Sequence, residues 1–132
     1  MANIPIGTTR EEKLLVTSEV AINFLGLDTA RVLATPYMIG FMERTCRNLV
    51  LPYLEPGHDT VGTHVDVYHR AAAPMGASLT FRAEVIAVED RRVRFKVEAR
   101  DEERQRIIGD GTHERGIVNI ARFAARLQEA PG

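Results

Sequence analysis

Tryptophan is absent from this chain, lysine occurs only at Lys13 and Lys96, and there is a single cysteine, Cys46. One thiol cannot close a disulfide within the chain, so the fold must rest on a packed core, and a reducing cytoplasm suits it. No apolar run approaches the roughly 18 residues that a membrane-crossing helix needs. The opening MANIPIGTTREEK lacks the apolar stretch that a secretory signal carries. Net charge is missing too: 17 basic and 18 acidic residues leave −1, so no field draws the protein to nucleic acid or to an anionic membrane. There are no repeats, low-complexity tracts or linkers, and 132 residues are enough for one core but not two. We expect a single domain over residues 1–132, with Pro131 and Gly132 as a plain end.

What is present reads as one helix and several strands. Residues 12–24 (EKLLVTSEVAINF) are apolar and β-branched enough for an opening strand, followed by a turn at Gly26 and Asp28. Thr35-Pro36 then reads as an N-cap residue with proline at the first helical position. The helix should run to about Leu49 and stop before Pro52. At 100° per residue, Met38, Leu49, Met42, Cys46, Ile39 and Val50 share an arc, with Arg44, Arg47 and Asn48 opposite. Glu43 falls on the shoulder of the apolar arc. Gly40 lies on the polar side, where a missing side chain could admit a close backbone.

After LEPGHD the pattern turns to alternation. Val61, Thr63, Val65, Val67 and His69 fall on one face, which should pack on the helix. Pro74-Met75-Gly76 marks a turn. Leu79, Phe81, Ala83, Val85 and Ala87 form the inner face of the next strand, and Val93, Phe95, Val97 and Ala99 return after a turn at 89–92. Arg94, Lys96, Glu98 and Arg100 point outward, so this pair is a long hairpin with one wet face. Residues 106–121 suit a final strand, with Gly109 and Gly111 marking a bulge or bend. One long helix against an antiparallel sheet of about five strands is an α+β domain. A single helix covers only one face, so the other face, or an edge, calls for a partner subunit.

Three residues stand out chemically: the Thr35 hydroxyl, the Glu43 carboxylate and the His69 imidazole. Each also has a plain structural explanation. Thr35 can be a cap, Glu43 can pair with Arg47 one turn on, and His69 can be a hydrogen-bonded core histidine. Cys46 sits mid-helix on the apolar arc and reads as packing. His58, His64, Asp59 and Asp66 have no metal-ligand spacing, so no metal site is expected. The Arg91, Arg92, Arg94, Lys96 cluster could meet phosphates, or could be the exposed face of the hairpin.

The segments ATPYMIGFMERTC, LPYLEPGHDTVGTHVDVYHRAAAPMG and GDGTHERGIVN, in this order and spacing over much of residues 32–123, resemble the fluoroacetyl-CoA thioesterase-like family of the hotdog fold. The resemblance implies an acyl-CoA thioester hydrolase acting on a small or modest acyl group. Its catalytic threonine, glutamate and histidine fall on Thr35, Glu43 and His69. Gly62 matches a glycine beside the reacting thioester, and Arg115 an arginine near the site. It implies no separate cofactor, since coenzyme A enters as part of the substrate, and a homodimer or higher homo-oligomer. The stretch 26–34 is compact where the fluoroacetyl-specific enzyme carries a longer, aromatic-bearing lid, so fluoroacetyl selectivity is not implied. A hotdog enoyl-CoA hydratase and a non-catalytic acyl-CoA-binding module are the rival readings. The hydratase pattern, an Asp/His pair at other positions, has no match here.

Overall fold

A computed structural model describes residues 3–129; the Pro131-Gly132 end lies outside them. The elements are β1 (Thr9–Leu15), a 3₁₀ turn (Asp28–Ala30), α1 (Thr35–Val50), a second 3₁₀ turn (Leu51–Tyr53), β2 (His58–His69), β3 (Ser78–Glu89), β4 (Arg92–Asp101), β5 (Arg106–Asn119) and α2 (Ile120–Glu129). The five strands form one antiparallel sheet in the order β1-β3-β4-β5-β2, with α1 laid across one face.

The core is where the apolar arc of the helix meets the alternating strands. Met38, Met42, Cys46, Leu49 and Val50 are buried against Leu79, Phe81, Ala83 and Val85 of β3 and Val93, Phe95, Val97 and Ala99 of β4. Each of the larger of these side chains contributes about 1.5–3 kcal/mol on burial. The opposite sheet face is polar, carrying the exposed Arg82, Arg94 and Lys96, and needs no cover. The unpaired surface is an edge. β2 bonds β5 on one side only, and residues 63–66 in its middle are exposed.

Four local expectations give way. β1 ends at Leu15, because the chain turns off at Val16, whose amide donates to the Ala77 carbonyl. The following connection is bridged between Ala21 and Leu33 instead. Thr35 is not the cap: extended Ala34 precedes the helix, and its carbonyl accepts from the Tyr37 and Met38 amides. Gly40 admits no close neighbour, as nothing lies within 4 Å of where its Cβ would be. Residues 120–121 belong to α2 rather than to the last strand.

β2 departs most from simple alternation. Its register with β5 shifts between Gly62 and His64, so Thr63 is an extra residue and the inward face changes parity there. Thr60 and Gly62 face α1 before the bulge, whereas Val67 and His69 do so after it. Val61 and His69 therefore do not share a face.

Candidate functional site

Two polar clusters lie along α1. The first is at its N-terminus. Thr35, freed from capping, places its hydroxyl 2.7 Å from His69 Nδ1. Pro36 brings no amide hydrogen to this first turn, which removes one orphan donor. Burial lowers the pKa of His69 below its ordinary 6.5, so the imidazole is neutral at pH 7. Its other nitrogen, Nε2, is buried with no hydrogen-bond partner among the described residues. A buried polar atom left this way is one that a substrate, a water or another chain completes.

The pair borders an open depression of ≈ 390 Å³ lined also by Ile22, Phe24 and Val32. These apolar residues come from the β1–α1 connection, which is fastened by the Ile22 amide to the Val32 carbonyl and the Ala34 amide to the Val20 carbonyl. The connection, residues 16–34, sets an aromatic ring, Phe24, at the rim.

The second cluster is two turns further along. Glu43 stands eight residues beyond Thr35 on α1, about 12 Å along the axis. It does not pair with Arg47, whose fork grips Asp59 with bonds of 2.9 and 2.7 Å and holds that carboxyl below its ordinary range. Glu43 Oε2 instead lies 3.5 Å from Arg115 Nη1 and 3.8 Å from His113 Nε2, with its side chain 38% exposed. Gly62 is the reason it fits. A Cβ at that position would collide with the Glu43 carboxylate and stand 3.3 Å from His113 Cε1.

His113 was not singled out from the sequence, though it shares a β5 face with Arg115 at a spacing of two, the one signal that could have found it. Its ring is buried and stacks on Phe95. His113 Nδ1 lies 2.7 Å from the His64 carbonyl, and Nε2 lies 3.2 Å from Arg115 Nη1. Only one neutral tautomer satisfies both contacts: Nδ1–H donates to the carbonyl and Nε2 accepts from the guanidinium. Burial lowers the pKa of this imidazole too. Arg115 also donates from Nε to the Thr60 hydroxyl at 2.7 Å and from Nη2 to the Thr60 carbonyl at 2.9 Å. Its donors are turned to protein groups, so it aims the Glu43 carboxylate rather than offering a free fork to a ligand.

Thr35 and His69 are thus brought together, Glu43, Gly62 and Arg115 are brought together, and one chain does not join the two sets. Cys46 is buried, and burial pushes its thiol up to about 12, which leaves no reactive thiolate at neutral pH. Among the described residues no three His, Cys, Asp or Glu side chains converge as a metal site would, and no helix is long and apolar enough to cross a membrane.

A five-stranded antiparallel sheet laid on one long helix is the hotdog fold, and the likeness to known proteins makes this chain a thioester hydrolase on that fold. The family model described as fluoroacetyl-CoA-specific thioesterase matches residues 16–121. The fluoroacetyl-CoA thioesterase of Streptantibioticus cattleyicolor is 42% identical over 98 residues, which cover 74% of this chain and 69% of that protein. The solved structure of the fluoroacetyl-CoA thioesterase FlK superposes with a TM-score of 0.86 at 34% identity, over 98% of this chain and 99% of that one. A hot-dog-like protein from Thermanaerovibrio acidaminovorans matches in fold alone, with a TM-score of 0.86 at 24% identity over 97% and 93% of the two chains. The chain belongs to the fluoroacetyl-CoA-specific thioesterase family.

Proposed function

We propose that this protein hydrolyses a small or modest acyl-CoA to the free acid and coenzyme A, in a site that two copies of the chain build together. The observation that carries this reading is the split site: His69 Nε2 has no partner while the Glu43 carboxylate faces Arg115 two helical turns away. The exposed edge of β2 supplies the way to join the halves. Antiparallel pairing of two β2 edges about their exposed middle, residues 63–66, sets the His69 end of one strand beside Gly62 of the partner subunit. That brings Glu43 of the partner subunit toward the Thr35–His69 pair. Val65 and Tyr68, both exposed along this edge, are covered in the process.

In the joined site the thioester carbonyl lies between Thr35–His69 and the partner's Glu43, with its acyl group against Ile22, Phe24 and Val32. The carboxylate attacks the carbonyl directly or through a water that it deprotonates. The C–S bond breaks and the sulfur leaves as a thiolate, an undemanding step because a thiol pKa lies near ~8.5; in the water route the proton taken up by the carboxylate passes on to the thiolate or to solvent, and the neutral imidazole acts by hydrogen bonding. Water that opens the direct-attack anhydride at the Glu43 carbonyl leaves solvent oxygen in Glu43, so label found there after a single turnover in ¹⁸O-water marks the direct route. The chemistry calls for no cofactor or metal beyond the substrate's own coenzyme A. A cytoplasmic location is part of the proposal, since the lone thiol suits a reducing compartment.

The test is thiol release over a panel of acyl-CoAs. Glu43→Gln and His69→Ala are each expected to lower kcat by at least about 10³-fold, and Thr35→Val by about 10- to 100-fold, with folding retained. Near-normal turnover in both Glu43→Gln and His69→Ala would overturn the reading.

A further inference from the structure

Glu43 lies beside a cation that stops short of it. Arg115 donates from Nε to the Thr60 hydroxyl at 2.7 Å and from Nη2 to the Thr60 carbonyl at 2.9 Å. Nη1 is the nitrogen nearest the carboxylate, yet its hydrogen-bonded partner is His113 Nε2 at 3.2 Å. Glu43 Oε2 stands 3.5 Å from Nη1, outside the roughly 2.7–3.2 Å of an N–H···O hydrogen bond. The guanidinium is planar and rigid, so its contacts to Thr60 and His113 fix where it stops. The result is an ion pair held open, on a carboxylate whose chemistry depends on what occupies its oxygens.

Two parallel bonds from an arginine fork tie up the oxygens of a carboxylate, whereas attack on a carbonyl or on a water proton needs a free lone pair. An arginine at 3.5 Å attracts the carboxylate and orients it without taking that lone pair. His113 is the group that keeps the distance. Its ring is buried, stacks on Phe95 at an interplanar angle of 26°, and donates from Nδ1–H to the His64 carbonyl at 2.7 Å. The bulged stretch of β2 thus anchors both partners, the arginine through Thr60 and the histidine through His64. With its proton on Nδ1, the ring has only a lone pair to present to Arg115. The charged and titratable groups around it are Arg115 on β5, Glu43 on α1 and His64 on β2, and burial is the strongest influence against a second proton.

We propose that His113 is a positioning residue for the hydrolysis: by accepting from Arg115 Nη1 it holds the guanidinium off the Glu43 carboxylate and leaves that carboxylate a free lone pair for the carbonyl or the attacking water. This rests on the hydrolase reading above and adds to it a residue that touches neither substrate nor reacting atoms. Phenylalanine at this position keeps the ring stack and most of the volume but takes away both polar contacts. Nη1 then has Glu43 as its one remaining acceptor and closes on it. Glutamine loses the ring but restores an acceptor oxygen on the side of Arg115.

The experiment measures kcat, KM and their pH dependence for thiol release by the parent, His113→Phe and His113→Gln. His113→Phe is expected to lower kcat by about 10-fold or more with KM within about threefold of the parent. The acid limb of its kcat profile should move to lower pH, because a closed ion pair makes a carboxylate harder to protonate. His113→Gln should recover most of kcat and return the limb. A histidine that merely fills the core predicts the reverse order, with phenylalanine the milder change, and no movement of the limb. Turnover of His113→Phe within about threefold of the parent, an unmoved limb, or a glutamine variant slower than the phenylalanine one overturns the proposal. Long-range ¹H–¹⁵N spectra of the native protein need no variant: an unprotonated His113 Nε2 at pH 7 supports the proposal, and a protonated one overturns it. A parent that released no thiol from any acyl-CoA would sink the hydrolase reading instead. The Nη1–Oε2 distance in a crystal structure of His113→Phe, expected to close to hydrogen-bond length, would still decide whether His113 holds the arginine off, so the two fail separately.

Discussion

Substituting alanine for Gly62 probes the carboxylate without touching it. The added methyl group would fall on Glu43 Oε2, 3.3 Å from His113 Cε1 and 3.5 Å from Arg115 Nη1. Arg115 is fixed by Thr60 and His113 and the His113 ring by the His64 carbonyl, so the group that moves is the carboxylate. A displacement on the order of 1 Å from a reacting centre costs about 10²-fold in rate, or about 2.7 kcal/mol of transition-state stabilisation. The cost in stability is smaller. Overpacking usually costs about 1–3 kcal/mol, and the lower end applies because the Glu43 side chain is 38% exposed and can swing outward. Gly62→Ala should therefore lose about 10²-fold in kcat while unfolding only about 1 kcal/mol more easily. Gly40→Ala, on the exposed side of the same helix with nothing within 4 Å, should keep its activity and gain about 1 kcal/mol. Thiol release and denaturant melts on both variants decide the matter. Turnover of Gly62→Ala within about threefold of the parent would refute the claim that this glycine exists to seat the carboxylate.

Further outcomes follow from the same geometry. Burial holds the pKa values of His69 and His113 below 6.5, so below that pH the unfolded chain binds protons that the folded one refuses. Stability should be full above pH 6.5 and fall as the pH drops beneath it, a melting temperature that rose on acidification through this window would contradict the assignment, and His113→Phe should flatten the slope. Cys46, buried with its thiol near 12, should resist alkylation at pH 8 until the protein unfolds. Cys46→Ala should retain activity at a cost of about 1 kcal/mol. Phe95→Ala removes the ring beneath His113 as well as core volume and should cost about 3–5 kcal/mol, read from the denaturant midpoint.

Much of this was legible before any coordinates. The i, i+4 repeat of Met38, Met42 and Cys46 located the helix and its buried side, and the alternation from Leu79 to Ala99 located the hairpin. Those patterns are local, and burial enforces them residue by residue. The bulge at Thr63 was not legible, because it is set by pairing with β5, and a strand read alone has no partner to count against. Its consequence reached the site: unbroken alternation puts Gly62 and His69 on opposite faces, whereas the extra residue puts both toward the helix. The cap at Thr35 was misread for a related reason. Thr-Pro at a helix start fits capping, but His69 arrives from 34 residues away to take the hydroxyl. α2 was hidden by its continuity with the last strand, although Ile120, Phe123 and Leu127 do carry helical spacing. The resemblance to a thioesterase family named Thr35, Glu43 and His69. Their division into two clusters needed the folded chain.

That division is the centre of the account, and a mixed dimer tests it most directly. Thr35→Val and Glu43→Gln chains carrying different affinity tags are produced together, and the heterodimer is isolated by sequential purification. The Glu43→Gln homodimer should be nearly inactive, and the Thr35→Val homodimer should keep about 1–10% of the parent's activity. If Thr35–His69 of one subunit works with Glu43 of the partner subunit, one of the two sites in the heterodimer contains only native residues, and the heterodimer should recover about half of the parent's activity. If each chain builds its own site, every site in the heterodimer carries a defect. Activity no higher than that of the two homodimers would contradict the account.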